Sequence, residues 1–249
     1  MLAYLAQLLA AERTARANFH LGVALAFVAG MLNAGGFLAI GQYTSHMTGM
    51  VSSAADHLVL GNYALMVAAL LSLAAFVAGA ASTAMLVSYG RRSLAANIYT
   101  PPLLLEAALI LVFGLSGGYL LEHSFTSLSL TAMLLCYTMG LQNALVTKVS
   151  QAEIRTTHVT GLVTDLGIEL GRLLYWNRSQ DESLQRIIAN RRRLLVHAAM
   201  ILAFFVGGVI GAYGFKFVGF ASTIPLAVAL VVLAFAPALR QPGHPPQAH

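Results

Sequence analysis

Long uncharged apolar runs dominate the chain and predict membrane-spanning helices. No Asp, Glu, Lys or Arg occurs from Ala17 to Ala55, or from His57 to Gly90. Each run exceeds the roughly 20 apolar residues that a spanning helix needs. The pattern predicts an all-α polytopic membrane protein with spans over about residues 19–40, 62–89, 101–121, 127–147, 194–217 and 219–236.

Two shorter and more polar helical pieces interrupt these spans, over about residues 46–60 and 158–175. Each follows a break in the apolar pattern, at 41–45 and at 148–157. The first piece is too polar to cross a bilayer comfortably, because it carries Thr48, Ser52, Ser53, Asp56 and His57. We predict that both are broken or re-entrant helical pieces, which leaves six transmembrane helices.

The chain contains one short stretch twice. Thr44-Ser45-His46-Met47-Thr48-Gly49-Met50 recurs as Thr156-Thr157-His158-Val159-Thr160-Gly161-Leu162, and Gly30-Met31-Leu32-Asn33-Ala34 resembles Gly140-Leu141-Gln142-Asn143-Ala144. Chance similarity between apolar segments is the alternative, but the shared residues are polar ones in an apolar background. We predict a duplication within one membrane domain: repeats at 19–121 and 122–238, an N-terminal amphipathic segment at 1–18 and a polar tail at 239–249.

The distribution of basic residues predicts the orientation. Only 9% of the residues are charged, against roughly 25% in soluble domains. With six spans and both termini in the cytoplasm, thirteen of the fourteen Lys and Arg residues lie inside and only Lys216 lies outside, as the positive-inside rule requires. Three spans per repeat then make the second repeat inverted. The positive net charge concerns membrane orientation, and we expect no nucleic-acid partner.

The duplicated stretch is the candidate substrate site. Inverted repeats with broken helices are typical of secondary transporters, whose sites lie at the midplane between the broken segments. Exposed N–H groups at a helix start attract anionic groups, and an imidazole can carry a proton near neutral pH. The candidate binding residues are Asn33, Thr44, His46, Thr48, Gly49, Asn143, Thr156, Thr157, His158, Thr160 and Gly161.

Structural explanations for the same residues stand beside this one. The Thr hydroxyls can cap helices, the histidines can be buried and neutral, and the asparagines can join helices. Glu106 is shallow enough in its span to reach the membrane surface, and Glu169 with Arg172 has the spacing of an ordinary surface ion pair. No ligand spacing is diagnostic of a metal, and we expect no cofactor.

Two other function classes compete with a transporter for a small polar or anionic solute. An enzyme is disfavoured, because the chain has no Gly-x-Ser-x-Gly, no His-Glu-x-x-His and no evident nucleophile–base pair. We therefore expect no enzymatic activity. A non-catalytic scaffold or regulator is the alternative, which would bind a partner or anionic lipid through the Arg-rich loop between Arg178 and Arg193. The bilayer is a partner in either case, and homo-oligomerisation stays open.

The quoted motifs resemble those of a known family. Gly30 to Ala34, Thr48-Gly49, Gly140 to Ala144 and Thr156 to Gly161 are similar to the YoaK-like family of bacterial inner-membrane proteins, over about residues 19–238. The resemblance implies a multi-pass inner-membrane protein of uncharacterised function and supplies no substrate. An acidic residue is common in the family where this chain has Asn33, and Asn is common where it has Met50.

Overall fold

The computed structural model describes residues 15–93, 98–121, 125–149, 159–176 and 186–235, and every regular element in these ranges is helical. The N-terminal segment before residue 15 and the polar tail lie outside them. The helices are α1 (Ala15–Ile40), α2 (Met47–Val59), α3 (Tyr63–Arg92), α4 (Thr100–Leu121), α5 (Phe125–Val149), α6 (Val159–Leu174), α7 (Arg191–Phe217), a 3₁₀ turn (Gly219–Ser222) and α8 (Thr223–Phe235).

Four of these helices are long and apolar enough to cross a membrane, namely α1, α3, α5 and α7. Shorter apolar helices lie at 100–116 and 219–235, within α4 and across the 3₁₀ turn and α8. The described chain is therefore an all-helical protein of the membrane type, as the apolar runs predict. The break predicted at 41–45 separates α1 from α2. Helix α5 extends to Val149, two residues into the break predicted at 148–157, and the rest of that break lies outside the described residues.

Helices α1 and α7 cross with their backbones in direct contact. A Cβ atom at Gly30 would overlap the carbonyl oxygen of Phe204, and one at Gly207 would overlap that of Phe27. Gly211 meets the backbone of Met31 in the same way. Small residues allow this close approach, which supplies packing energy between helices in lipid.

Helices α3 and α5 cross in a similar way. Gly79 lies against the carbonyl of Tyr137, and Gly140 lies against that of Phe76. The Thr83 hydroxyl donates to the Leu141 carbonyl at 2.8 Å. Residues of α1 and α5 correspond at an offset of 110, and those of α3 and α7 at an offset of 128. The corresponding pairs are Gly30 with Gly140, Phe27 with Tyr137, Met31 with Leu141, Phe76 with Phe204, Gly79 with Gly207 and Thr83 with Gly211.

The corresponding helices α1 and α5 run antiparallel. The Gln142 side chain donates to the carbonyl of Leu25 at 3.4 Å, whereas Leu135, earlier in α5, lies beside Gly36, later in α1.

Helices α4 and α8 are also antiparallel. The Thr100 hydroxyl donates to the carbonyl of Ala234 at 2.9 Å, near the end of α8. Gly114, late in α4, meets Thr223 at the start of α8.

These directions place most basic side chains at one end of the bundle. That end contains the starts of α1 and α7 and the ends of α3 and α5, with Arg16, Arg91, Arg92, Lys148, Arg191, Arg192 and Arg193. Lys216 lies near the end of α7, at the opposite end. Among the described residues the charge is therefore strongly asymmetric along the helix axes.

Candidate functional site

The segment between α1 and α2 runs back alongside the last turns of α1. Gly41 makes the reversal with a φ of 70°, a conformation that glycine adopts without steric cost. The rings of Phe37 and Tyr43 then stack at 4.4 Å, and Thr44 is buried beside Gly36. This return carries the chain about two turns back toward the middle of the bundle.

Asn33 fixes the deepest point of this return. Its Oδ1 accepts hydrogen bonds from the backbone N–H of Ser45 at 3.3 Å and from the Ser45 hydroxyl at 2.9 Å. Non-helical backbone at membrane depth is tolerated only where protein or a wet cavity satisfies it. The Asn33 side chain provides one such partner, for the Ser45 N–H.

Helix α2 begins from this point without a side-chain cap. His46 occupies the N-cap position and makes no side-chain capping bond, while its carbonyl accepts the Met50 N–H at 3.1 Å. The His46 ring lies over Gly49, where any Cβ would overlap it. The buried Thr44 hydroxyl has no hydrogen-bond partner among the described residues, so it does not cap α2.

A cavity of about 380 Å³ lies between the returning segment, α2, α3 and the start of α5. The side chains with polar groups in its lining are those of Gln42, Tyr43, His46, Ser53, His57, Ser72 and Ser129. Among the described residues, no Asp, Glu, Lys or Arg lines it, and His57 Nδ1 is a buried atom with no partner there. The cavity lining is therefore mostly apolar, with polar side chains at a few positions and no carboxylate, ammonium or guanidinium group among the described residues.

Of these lining residues, the sequence analysis selected only His46 and Gly49 as site residues. Ser53 and His57 were detectable, because positions 46, 49, 50, 53 and 57 share one face at helical spacing. Gln42, Ser72 and Ser129 belong to a loop and two other helices, and no sequence pattern links them.

The second stretch is only partly described. Thr156, Thr157 and His158 lie outside the described residues. Thr160 is exposed in the first turn of α6, and its carbonyl accepts the Thr164 hydroxyl at 2.8 Å. Gly161 is half-buried in the same turn. The Asn143 amide donates to the Met139 carbonyl within α5 at 2.8 Å.

The structure brings Asn33, Thr44, His46 and Gly49 together, and it leaves Thr48 exposed at the start of α2. Helix α2 packs mainly on α3, and α6 packs on α7. The antiparallel register of α1 and α5 separates Asn33 from Asn143 by roughly 10 Å in depth, at a rise of about 1.5 Å per residue. Whether the two stretches meet stays a prediction, because half of the second one is undescribed.

Two acidic residues differ from expectation. Glu106 is completely buried rather than reaching the membrane surface. Glu169 is 3% exposed, whereas Arg172 is exposed, so only one partner of their 2.9 Å ion pair lies at the surface. Glu169 also accepts the Asn190 N–H at 2.7 Å, which ties the end of α6 to the start of α7.

Comparisons with known proteins agree with the resemblance seen in the sequence. The "UPF0700 transmembrane protein YoaK" of Bacillus subtilis (strain 168) is 24% identical over 189 residues, which cover 76% of this chain and 80% of that protein. No solved structure matches the chain. A family model described as "Protein of unknown function (DUF1275)" matches residues 21–236. The chain therefore belongs to the DUF1275 family.

Proposed function

We propose that this protein is a secondary transporter that moves a small polar or anionic solute across the bacterial inner membrane. The observation that carries the proposal is the returning segment held by Asn33 beside a cavity with several polar side chains in its lining. Broken helices of this kind form the substrate sites of secondary transporters near the midplane.

An inverted duplication supports the proposal. The two helix crossings use equivalent residues, and the equivalent helices α1 and α5 run antiparallel, as do α4 and α8. A two-fold axis that reverses membrane-spanning helices lies in the membrane plane. The two halves then form three-helix repeats of opposite orientation, and α2 and α6 start inside the membrane without crossing it.

The asymmetric charge supports an orientation. The bundle end that carries Arg16, Arg91, Arg92, Lys148 and Arg191 to Arg193 fits the cytoplasmic face, which places both termini inside. Asn33 and Ser45 are then approached from the outer face, and the second duplicated stretch from the cytoplasm. Access from opposite sides is what an alternating-access cycle needs.

The chemistry of the cavity favours an acceptor-rich solute. The start of α2 faces it through His46 and Gly49, and an uncapped helix start presents N–H donors and a positive partial charge. No carboxylate in the lining repels an anion. Serine hydroxyls and the imidazoles add donors, so carboxylates or inorganic oxyanions fit better than cations.

A thermal-shift screen of the purified protein against metabolites and inorganic anions tests the proposal, because a bound solute raises the melting temperature. Ser53 lines the cavity, whereas its neighbour Ser52 is exposed and does not. Ser53→Leu should abolish the shift caused by a hit, and the matched variant Ser52→Leu should retain it. Equal shifts in both variants would remove the cavity as the solute site. Uptake of the hit into proteoliposomes then distinguishes transport from binding.

A scaffold or regulator that binds anionic lipid or a partner is the second candidate function. It is supported by three exposed arginines at the start of α7 together with Trp176, which is 84% exposed. Tryptophan favours the membrane interface, and basic clusters bind anionic headgroups. Replacing Arg191, Arg192 and Arg193 by Gln should reduce co-purified anionic lipid if this function holds, without changing solute-induced stabilisation.

A further inference from the structure

Glu106 is a buried acid that the proposed solute site does not use. Its exposed fraction is 0%, and neither carboxylate oxygen has a hydrogen-bond partner among the described residues. Desolvating an unpaired carboxylate costs several kcal/mol, about as much as the marginal stability of a whole fold. Such a group is stable only when it is neutral or when it binds a cation.

The surroundings of Glu106 supply no counter-charge. Helix α4 runs antiparallel to α5, since the Tyr99 hydroxyl donates to the Lys148 carbonyl at 3.4 Å. Glu106 therefore lies at the depth of Leu141 and Gln142. Lys148 is about seven residues further along α5, or roughly 10 Å away.

The other elements packed on α4 are equally poor in charge near this depth. α8 and the 3₁₀ turn contain no ionisable side chain. The basic groups of α1 and α3 lie at the cytoplasmic end of the bundle. The titratable groups of the elements in contact with α4 are Arg16, His20, Tyr63, Tyr89, Arg91, Arg92, Cys136, Tyr137 and Lys148, together with Tyr99 beside the start of α4.

Glu106 also lies close to the axis that relates the two halves. Thr100-Pro101-Pro102-Leu103 corresponds to Thr223-Ile224-Pro225-Leu226 at an offset of 123, which makes Ala229 the counterpart of Glu106. Thr100 is bonded opposite Ala234, so in antiparallel register Glu106 lies opposite Val228. Val228 adjoins that counterpart, so to within one residue Glu106 lies where the axis would cross, near mid-depth and about equally far from both membrane faces.

Gln142 lies at this depth and has a second buried polar atom without a hydrogen-bond partner among the described residues. Its Oε1 is buried without a partner among the described residues, while its amide donates to Leu25. A protonated Glu106 has an O–H donor that such an acceptor can receive, and an ionised Glu106 has none. Two buried polar groups without a partner among the described residues, at one depth and with no basic group beside them, fit a neutral carboxyl group better than an ionised one.

We propose that Glu106 is a proton-binding site, whose carboxylate takes a proton from one aqueous phase and releases it to the other as the transporter changes conformation. The proposal rests on the proposed transport function and adds its coupling ion. One O–H bond forms on uptake and breaks on release, and no other reactant is involved. Solute and proton then occupy different sites, one beside α2 and one beside α4.

Infrared spectroscopy of the purified protein tests the proton site without any transport measurement. A protonated carboxyl group has a C=O band that shifts in D₂O and disappears on ionisation. The wild-type protein should show this band at neutral pH, and Glu106→Gln should lack it. The matched control Asp165→Asn removes an exposed carboxyl group and should retain the band. Absence of the band from the wild type, or its persistence in Glu106→Gln, would overturn the proposal.

Two further measurements keep the test decisive. If Glu106→Gln fails to fold, Glu106→Asp should shift the band rather than remove it, and an unshifted band would contradict the assignment. A rise in melting temperature on adding NaCl that choline chloride does not reproduce, present in the wild type and lost in Glu106→Gln, would identify a sodium site instead.

For a solute found by the screen, Glu106→Gln should bind it normally but lose accumulation driven by a pH gradient. A band without transport would refute the transporter and leave the proton site intact.

Discussion

One side-chain oxygen of Asn33 accepts both the backbone N–H and the hydroxyl of Ser45, twelve residues later in the chain. These bonds hold the turn between α1 and α2 against α1, and an unpaired buried N–H costs about 1 to 3 kcal/mol. The side-chain amide of Asn33 therefore determines how far the turn returns along α1.

Asn33→Ala should release this turn. We expect faster hydrogen exchange in residues 41–46 and a loss of roughly 1 to 3 kcal/mol in stability. Asn33→Asp keeps an acceptor oxygen and should retain most of the protection from exchange. Unchanged exchange in Asn33→Ala would show that packing alone positions the turn.

Gly49→Ala should displace the His46 ring from the start of α2. The added methyl group would overlap the imidazole, which belongs to a side chain that can rotate away, so the fold should survive. Gly167→Ala is a matched control in α6, because nothing lies within 4 Å of its Cβ position. We expect Gly49→Ala to weaken solute-induced stabilisation at least several-fold and Gly167→Ala to leave it unchanged. Equal solute-induced stabilisation of the two variants would show that the His46 ring is not part of the solute site.

Gly79→Ala and Gly207→Ala should each destabilise the protein by about 1 to 3 kcal/mol or more. In both variants the methyl group would overlap a backbone carbonyl, which cannot move without separating two helices. Gly167→Ala should be neutral or stabilise by up to about 1 kcal/mol, because Ala is the better helix former. Thermal unfolding in detergent measures all three. A small loss for one crossing and a large loss for the other would contradict the equivalence of the two crossings.

Cysteine labelling of intact cells should place the turn after α2 and the end of α3 on opposite faces. In a Cys136→Ala background, Leu60→Cys, at a position 68% exposed, should react with an impermeant thiol reagent from outside. Arg92→Cys should react only after permeabilisation. External labelling of position 92 would exclude the six-span arrangement.

Local pattern predicted an all-helical protein of the membrane type and the approximate positions of its helices, because apolar runs and glycine breaks determine where helices begin and end. The four-residue spacing of Gly79 and Thr83, and of Gly207 and Gly211, is typical of residues that allow close helix packing. The sequence does not show which helix each pair meets, since a backbone carbonyl can pack against any partner of suitable shape. Glu106 is buried because neighbouring helices cover it. Its position near the end of its span did not reveal this.

The site was less predictable than the fold. The duplicated stretch led to His46 and Gly49 because a repeated polar motif in an apolar background is conspicuous. Ser72 and Ser129 reach the same cavity from α3 and α5, so only tertiary packing identifies them. The Asn33–Ser45 bond was also missed, because it requires the chain to reverse at Gly41 and return along α1.

The pairing of α1 with α7 determines when this protein can complete its fold during synthesis. The ribosome releases α1 into the bilayer more than 150 residues before its closest neighbour exists. Until then α1 must remain stable among lipids, and it can do so because no Asp, Glu, Lys or Arg follows Arg16 in it. In a chain that stops before α7, Gly30 and its neighbours would stay exposed to lipid. An unpaired packing face of this kind is a feature that membrane quality-control proteins can recognise.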